Sequence, residues 1–420
     1  MWIGLAMATR GEHLVRADRR FATGAGLLGR IAAPGFKRIL DHLHDRLERG
    51  GIDASLPDGS RRRIGFHRPG PTAIVNIGSW LALVRLATSG SVGWYRAWAA
   101  GEWSSPDPVP LFELFMLNGR SLGEIGRAKG IRRKLNALAH RLRDNGLGQA
   151  RENVAAHYDL GNDFYAEWLD PSMTYSSARF APGDTLEQAQ RRKIGLLLDR
   201  LHIKPGDRLL EIGSGWGTLA IEAARRGANV VGLTLSAEQK SWAEQKVACA
   251  KMSDRIEIRL QDYREIREQF DAVASVEMVE AVGQRWWPSY LDCIANNLKP
   301  GGRAALQFIS IQHDLFDGYS RNADFIQAYI FPGGMLIDEP RFEALANERG
   351  LSWEAREGFR LDYAETLKQW RERYDAAVRE SRLKGFSDRF HDLWRYYLMY
   401  CEGGFRGGGI DVAQVTMAKA

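Results

Sequence analysis

The apolar positions of this chain change rhythm near residue 150. Before that point helical spacing dominates. Phe36, Ile39, Leu40, Leu43 and Leu47 recur at three- and four-residue steps between charged residues, which predicts a helix over 35–49. Pro57-Asp58-Gly59 predicts a turn, and the run over 72–77 reads as a strand. Residues 79–120 gather Trp80, Trp94, Tyr95, Trp98, Trp103, Phe112 and Phe115, enough for the core of a small α+β domain, with some of these rings available to a lipid surface. Over 121–150, Ile131, Leu135, Leu138 and Leu142 keep helical spacing among Arg127, Lys129, Arg132, Arg133, Lys134, Arg141 and Arg143. That is a basic amphipathic helix, which either lies on an anionic membrane surface or serves as a solvated connector. Asn145-Gly146 and Gly148 mark a linker.

From 151 onward short β-rich runs alternate with helical stretches, the pattern of a parallel sheet. Strands are expected over 209–212, 229–233, 256–260, 272–276 and 304–311, the last entered through the turn Pro300-Gly301-Gly302. Helices are expected over 185–201, 218–226, 236–251 and 288–298. Runs at 352–358 and 411–418 predict an antiparallel edge, with a helical insertion over about 362–400 between them. The expected architecture is α/β, a doubly wound sheet with inserted helices over the carboxyl ends of the strands, where ligands bind. A smaller α+β domain precedes it, giving segments 1–120, 121–150 and 151–420.

Charge changes this picture more than composition does. Residues 1–150 carry 23 Lys+Arg against 12 Asp+Glu, a net of +11 inside a chain whose total is +6. A basic first third on a mildly acidic body predicts a polyanionic surface as partner. The three cysteines, Cys249, Cys293 and Cys401, form no C-x-x-C, so neither a disulfide framework nor a metal site is expected. The first ten residues lack the pattern of a signal peptide, and no apolar run approaches the ~20 residues of a membrane span. A cytoplasmic protein, peripheral to the inner face of the membrane, is the expectation.

The candidate chemistry begins at Arg208-Leu-Leu-Glu-Ile-Gly-Ser-Gly-Trp-Gly217. An apolar strand running into Gly213, Gly215 and Gly217, with a helix behind it, is a nucleotide-type turn. The spacing is not the dinucleotide G-x-G-x-x-G, and no P-loop lysine follows. Glu211, two residues before the first glycine, suits a cationic nucleoside bearing an amino acid, which points to S-adenosylmethionine. After the second strand, Thr234 and Gln239 offer neutral donors and acceptors for ribose hydroxyls, while Ser236 can cap the following helix. After the third, Asp262 offers an acceptor for an adenine amino group and Tyr263 a face for the base.

Together with these, His157-Tyr-Asp-Leu-Gly-Asn-Asp-Phe-Tyr165, Met173-Thr-Tyr-Ser-Ser177, Ser275-Val-Glu-Met-Val-Glu-Ala-Val-Gly283 and Tyr396-Tyr-Leu-Met-Tyr-Cys-Glu-Gly-Gly-Phe-Arg406 resemble the cyclopropane-fatty-acid synthase and mycolic-acid methyltransferase family. The resemblance is close over roughly 150–420 and loose over 60–120, where the family carries a lipid-binding domain. It implies a Rossmann-like class I methyltransferase that transfers the methyl group of S-adenosylmethionine to a cis double bond of a phospholipid acyl chain. Proton loss from the new methyl then closes a cyclopropane, with a bound bicarbonate as general base. Carried over residue by residue, the bicarbonate ligands are Glu280, Tyr363 and the Ile309 amide. Ser177 stands where the family has Cys, and Gln307 where it has His. Gln307 can donate an N–H but cannot carry charge. The family chemistry therefore implies either an intact cyclopropane reaction or one diverted to a methylated alkene or methyl branch, and a third alternative is a non-catalytic cofactor-binding protein. For the cofactor the resemblance implies Tyr175 and Ser176 at the methionyl carboxylate, Gly213, Gly215 and Trp216 in the loop, Thr234, Leu235 and Gln239 at the ribose, and Asp262 and Tyr263 at adenine. Trp370, Tyr396 and Tyr397 are candidates for the acyl tunnel or for plain core. The implied partner is an unsaturated phospholipid at the membrane surface. A nucleic-acid partner is not expected, because the Asn/Asp-Pro-Pro-Tyr/Phe signature is missing, and a homodimer is left open.

Overall fold

A computed structural model describes residues 10–15, 33–123, 160–322 and 324–420. The basic amphipathic helix expected within 121–150, its linker and His157–Asp159 therefore lie almost entirely outside the described residues. Two compact units divide the chain: Met1–Arg143 with Asp314–Pro332 and Tyr374–Ile410, and Asp144–His313 with Gly333–Arg373 and Asp411–Ala420. The sequence-based boundaries ran straight along the chain. The contacts instead group two later segments, 314–332 and 374–410, with the N-terminal one.

The first unit carries a four-stranded sheet in the order β2-β1-β3-β4, with β1 Arg49–Ser55, β2 Arg61–Gly65, β3 Arg68–Ile77 and β4 Trp103–Ser104. The Pro57-Asp58-Gly59 turn joins β1 to the antiparallel β2, and Gly59 adopts the positive φ of 82° that such a turn needs. Helices Leu81–Ala99, Val109–Leu117 and Asp388–Gly407 belong to the same unit. The aromatic residues are mostly core: Tyr95 packs against Phe325, Tyr329 and Tyr396 at centroid distances of 4.9, 4.6 and 5.0 Å, and Trp103 stacks on Trp94.

The second unit is the α/β body. Its seven strands run in the order β10-β11-β9-β8-β5-β6-β7, with β5 Arg208–Ile212, β6 Asn229–Thr234, β7 Ile256–Leu260, β8 Phe270–Val276, β9 Leu298–Ile311, β10 Leu351–Gly358 and β11 Ile410–Lys419. Strands β5 to β9 pair in parallel, and β10 and β11 pair antiparallel at the edge. The order reverses beside β5, so the loops after β5, β6 and β8 open on one crevice. Leu209, Val230, Ala272, Ala274 and Ala305 from the sheet bury themselves against Leu197, Ala220, Ala223 and Ala243 from the covering helices. Those helices start where their caps dictate. Thr185 and Gln188 form a capping box ahead of Leu186–Asp199, and Ser236 caps Ala237–Cys249. Two expectations needed correction. Strand β9 begins at Leu298 rather than 304, because the Pro300-Gly301-Gly302 turn is absorbed as an irregularity where the pairing shifts between Phe270 and Ala272. The insertion is two helices, Arg360–Arg379 and Asp388–Gly407, the second restarted by a Ser387 cap.

Candidate functional site

The carboxyl ends of β5, β6, β7 and β8 enclose a cavity of about 210 Å³. Glu211, Gly213, Gly215 and Trp216 line it from the first loop, Thr234, Leu235 and Gln239 from the second, and Asp262 and Tyr263 from the third. Tyr175 and Ser176 complete one wall. The glycine loop is shaped by need. A Cβ at Gly213, whose φ is 87°, would stand 2.9 Å from Met278 Cγ, whereas at Gly215 it would meet nothing, leaving open space over the loop. Gly217, at φ 83°, caps helix Thr218–Arg225. Trp216 is anchored by its indole N–H, which donates to Asn162 Oδ1 at 2.7 Å, and by Tyr165 at 5.2 Å between ring centroids.

The polar groups along this wall match a cationic nucleoside. Glu211 Oε2 is buried with no hydrogen-bond partner among the described residues, and burial drives this carboxyl well above its ordinary range. A ligand ammonium would satisfy it. The Thr234 hydroxyl donates to Gln239 Oε1 at 2.9 Å, which leaves the Gln239 amide N–H groups for a sugar. Ser236 does cap the helix, donating no contact to the cavity, while Gln239 both receives that cap and lines the site. Asp262 accepts from Arg264 Nε and Nη2 at 2.8 and 2.7 Å, and the guanidinium lies over the Trp286 ring at 5.1 Å. Asp262 is therefore held rigidly by a partner the sequence reading did not assign. These residues fit S-adenosylmethionine.

The deeper wall is organised by a residue the sequence reading passed over. Glu277 follows β8, and its carboxylate accepts from the Ser177 amide at 2.9 Å, from Gln307 Nε2 at 2.8 Å and from the Tyr363 hydroxyl at 2.7 Å. Its φ is 47°, a left-handed conformation that costs about 1–3 kcal/mol in a residue with a Cβ. Strain of this kind, held by the Glu277 amide donating to the Gln307 carbonyl at 2.7 Å, aims the side chain. Burial raises the Glu277 carboxyl, while Lys193 and the three hydrogen bonds pull it back. Glu280 sits three residues on. Its Oε1 accepts from the Ile309 amide, its Oε2 is buried without a partner among the described residues, and burial beside Glu277 pushes the group up to about 8. Both carboxyls are raised by burial, and Lys193 and three donors limit the rise at Glu277. Glu280, which has the Ile309 amide and the Glu277 charge beside it, keeps its proton at neutral pH.

Comparison with known proteins places this arrangement. A family model described as mycolic acid cyclopropane synthetase matches residues 146–415. The chain belongs to that family. A tuberculostearic acid methyltransferase from Mycobacterium tuberculosis is 40% identical over 429 residues, covering 100% of this chain and 95% of that protein. The cyclopropane-fatty-acyl-phospholipid synthase of Escherichia coli is also 40% identical, over 63% of this chain and 66% of its own length. Among solved structures, mycolic acid cyclopropane synthase CmaA1 complexed with SAH and CTAB superposes with a TM-score of 0.61 at 32% identity, over 64% of this chain and 98% of that one. The family's class I methyltransferase fold and its dependence on S-adenosylmethionine hold for this chain.

Against that background the bicarbonate expectation needs correction. Ser177, Gln307, Ile309, Tyr363 and Glu280 are brought together, as the carry-over implied. Yet three of their donors hold the chain's own carboxylate, Glu277, and the Ile309 amide holds Glu280. A further anion would find these donors taken and two carboxyl groups against it, so bicarbonate does not fit. The signal for Glu277 was present in Ser275-Val-Glu-Met-Val-Glu280, two glutamates three residues apart at the end of a strand. Trp370 packs on Tyr175 and Trp168 at 5.3 and 5.6 Å, so it supports the cofactor wall. Tyr396 and Tyr397 belong to the first unit's core.

Proposed function

We propose that this chain methylates the cis double bond of unsaturated phospholipid acyl chains and releases a methyl-substituted alkene, with Glu277 as the base. One observation carries the reading: the donors that would hold a free bicarbonate hold the Glu277 carboxylate instead. When bound, S-adenosylmethionine supplies a methyl group, leaving on the acyl chain a cation that must lose a proton. Glu211 and the glycine loop hold the cofactor, Gln239 and Asp262 orient its nucleoside, and Trp216 closes the apolar side. Glu277 accepts the proton, so the lipid gains 14 mass units and stays neutral. Tyr363 and Gln307 stabilise the carboxylate before transfer, and Glu280 adds no second negative charge. Saturating the alkene to a methyl branch is a separate reduction. Similarity to a tuberculostearic acid methyltransferase along the full length of the chain supports this product. The second reading, ring closure, is supported by equal identity to a cyclopropane synthase over 63% of the chain.

The test is fatty-acid analysis of a host lacking its own synthase, before and after expression. A methylated alkene that takes up hydrogen is the expected product, and a cyclopropane would replace this reading with the second. In vitro, turnover is expected to be unchanged when dissolved bicarbonate is removed. E277Q is expected to lose about 10²–10⁴-fold in kcat. A bicarbonate-dependent wild type would count against Glu277 as base.

A further inference from the structure

Lys193 is the one lysine lining the cavity among the described residues, and it is completely buried. Its two neighbours, Arg191 and Arg192, are surface residues paired with Glu187 and Asp184. A buried ammonium is costly unless it serves a partner. Among the described residues its ammonium makes one hydrogen bond, Nζ to Ser176 Oγ at 2.6 Å, although an ammonium carries three N–H donors. Burial lowers Lys193 to about 8, and the charges facing it, Glu277 after β8, Asp170 before the Met173–Ser177 segment and Glu211 on β5, oppose that fall. It therefore remains a cation at neutral pH.

Hydrogen bonds tie Lys193 to Glu277 from two directions. On one side, Nζ holds Ser176, and the next residue, Ser177, donates its amide to Glu277. On the other, the Lys193 carbonyl accepts from Gln414 Nε2 at 3.1 Å. The same nitrogen donates to Gln307 Oε1 at 3.1 Å, and Gln307 Nε2 donates to Glu277. The ring closes on the carboxylate. Around Glu277 the remaining titratable neighbours are Tyr363, which donates to it, and Glu280, which is protonated at neutral pH.

We propose that Lys193 is a positioning residue for the base, its buried positive charge and its ring of hydrogen bonds holding Glu277 ionised and aimed at the cavity. The proposal rests on the reading of Glu277 as the base. The sign follows from charge: an opposite charge favours the ionised form, so removing Lys193 raises the Glu277 pKa and leaves less carboxylate at neutral pH.

Two measurements test it, one without turnover. In the cofactor-free protein, the protonated-carboxyl infrared band that disappears in E277Q reports Glu277, and its pH midpoint is followed in wild type, K193M and K193R. The midpoint is expected to rise by about one unit or more in K193M and to return in K193R. The acid limb of the kcat–pH profile is expected to move up by the same amount, lowering kcat about tenfold for each pH unit moved on the acid side of the midpoint while kcat recovers toward wild type at higher pH. An unmoved midpoint in K193M overturns the proposal. E277Q turning over at the wild-type rate overturns the base reading instead, and the infrared shift still decides the coupling. If K193M does not fold, S176A, which removes the ammonium's acceptor, is expected to shift the midpoint the same way by less, and no shift overturns the proposal.

Discussion

Single residues set the electrostatics of this site. Glu280 shows it in stability as well as in chemistry. Its pKa is raised in the folded state, to about 8 from an ordinary 4.5, so the native protein binds the proton more tightly than the unfolded chain between those values. That contribution is complete below about 4.5 and is lost as pH rises through 8. Replacing Glu280 by Gln removes it. The melting temperature of E280Q relative to wild type is therefore expected to climb as pH rises from about 5 to about 8, and parallel curves would refute the assignment. Most of the site was legible at this scale. The glycine loop, Gln239 and Asp262 were named from position alone, and Glu280, Tyr363, Gln307, Ser177 and Ile309 from resemblance. Glu277 and Lys193 were not. Nothing in a one-dimensional pattern announces that Glu277 adopts φ 47°, or that the third residue of Arg191-Arg192-Lys193 turns inward while the first two face solvent.

At the level of elements, apolar periodicity located the strands of the second unit, the start of β9 apart, because the central strands β5, β6 and β8 are almost wholly buried between short helical signals. The misplacements have local causes: a strand that runs through Pro300-Gly301-Gly302, and a helical insertion broken near Ser381, at φ 55°, and restarted at Ser387. The junction of β5 with helix Thr218–Arg225 is where backbone shape is least negotiable. Gly213→Ala places a Cβ against Met278 at a positive φ, a strain of about 1–3 kcal/mol. Calorimetric titration with S-adenosylhomocysteine is expected to show roughly tenfold weaker binding by G213A, and unchanged affinity would mean the loop does not carry the ligand.

For the whole molecule, the sequence could not show that segments more than 200 residues apart, such as 49–77 and 374–410, share one unit, since contact between distant segments leaves no periodic trace. Charge is a whole-chain property that it did show. Arg61, Arg62 and Arg63 sit on β2, next to the turn that starts the strand, and Arg61 and Arg63 are exposed. Among the described residues no helix is long and apolar enough to cross a membrane. If the first unit meets anionic lipid, the protein is expected to pellet with vesicles containing anionic headgroups, less so as salt is raised, and R61Q/R62Q/R63Q is expected to weaken that binding with cofactor affinity intact. Equal pelleting with neutral vesicles would remove charge from the account.

The left-handed backbone at Glu277 also bears on how such enzymes diverge. Glycine is the residue that occupies that conformation without strain. A glutamate codon becomes a glycine codon by one base change. That single step would relax the turn, delete the side chain and leave the Ser177 amide, Gln307 and Tyr363 as a ready-made socket for a dissolved anion. The reverse step would make the base heritable. The first step between a base supplied by the polypeptide and one borrowed from solution is thus a single mutation at a turn that glycine relaxes, with position 307, Gln here and His in the family, a second.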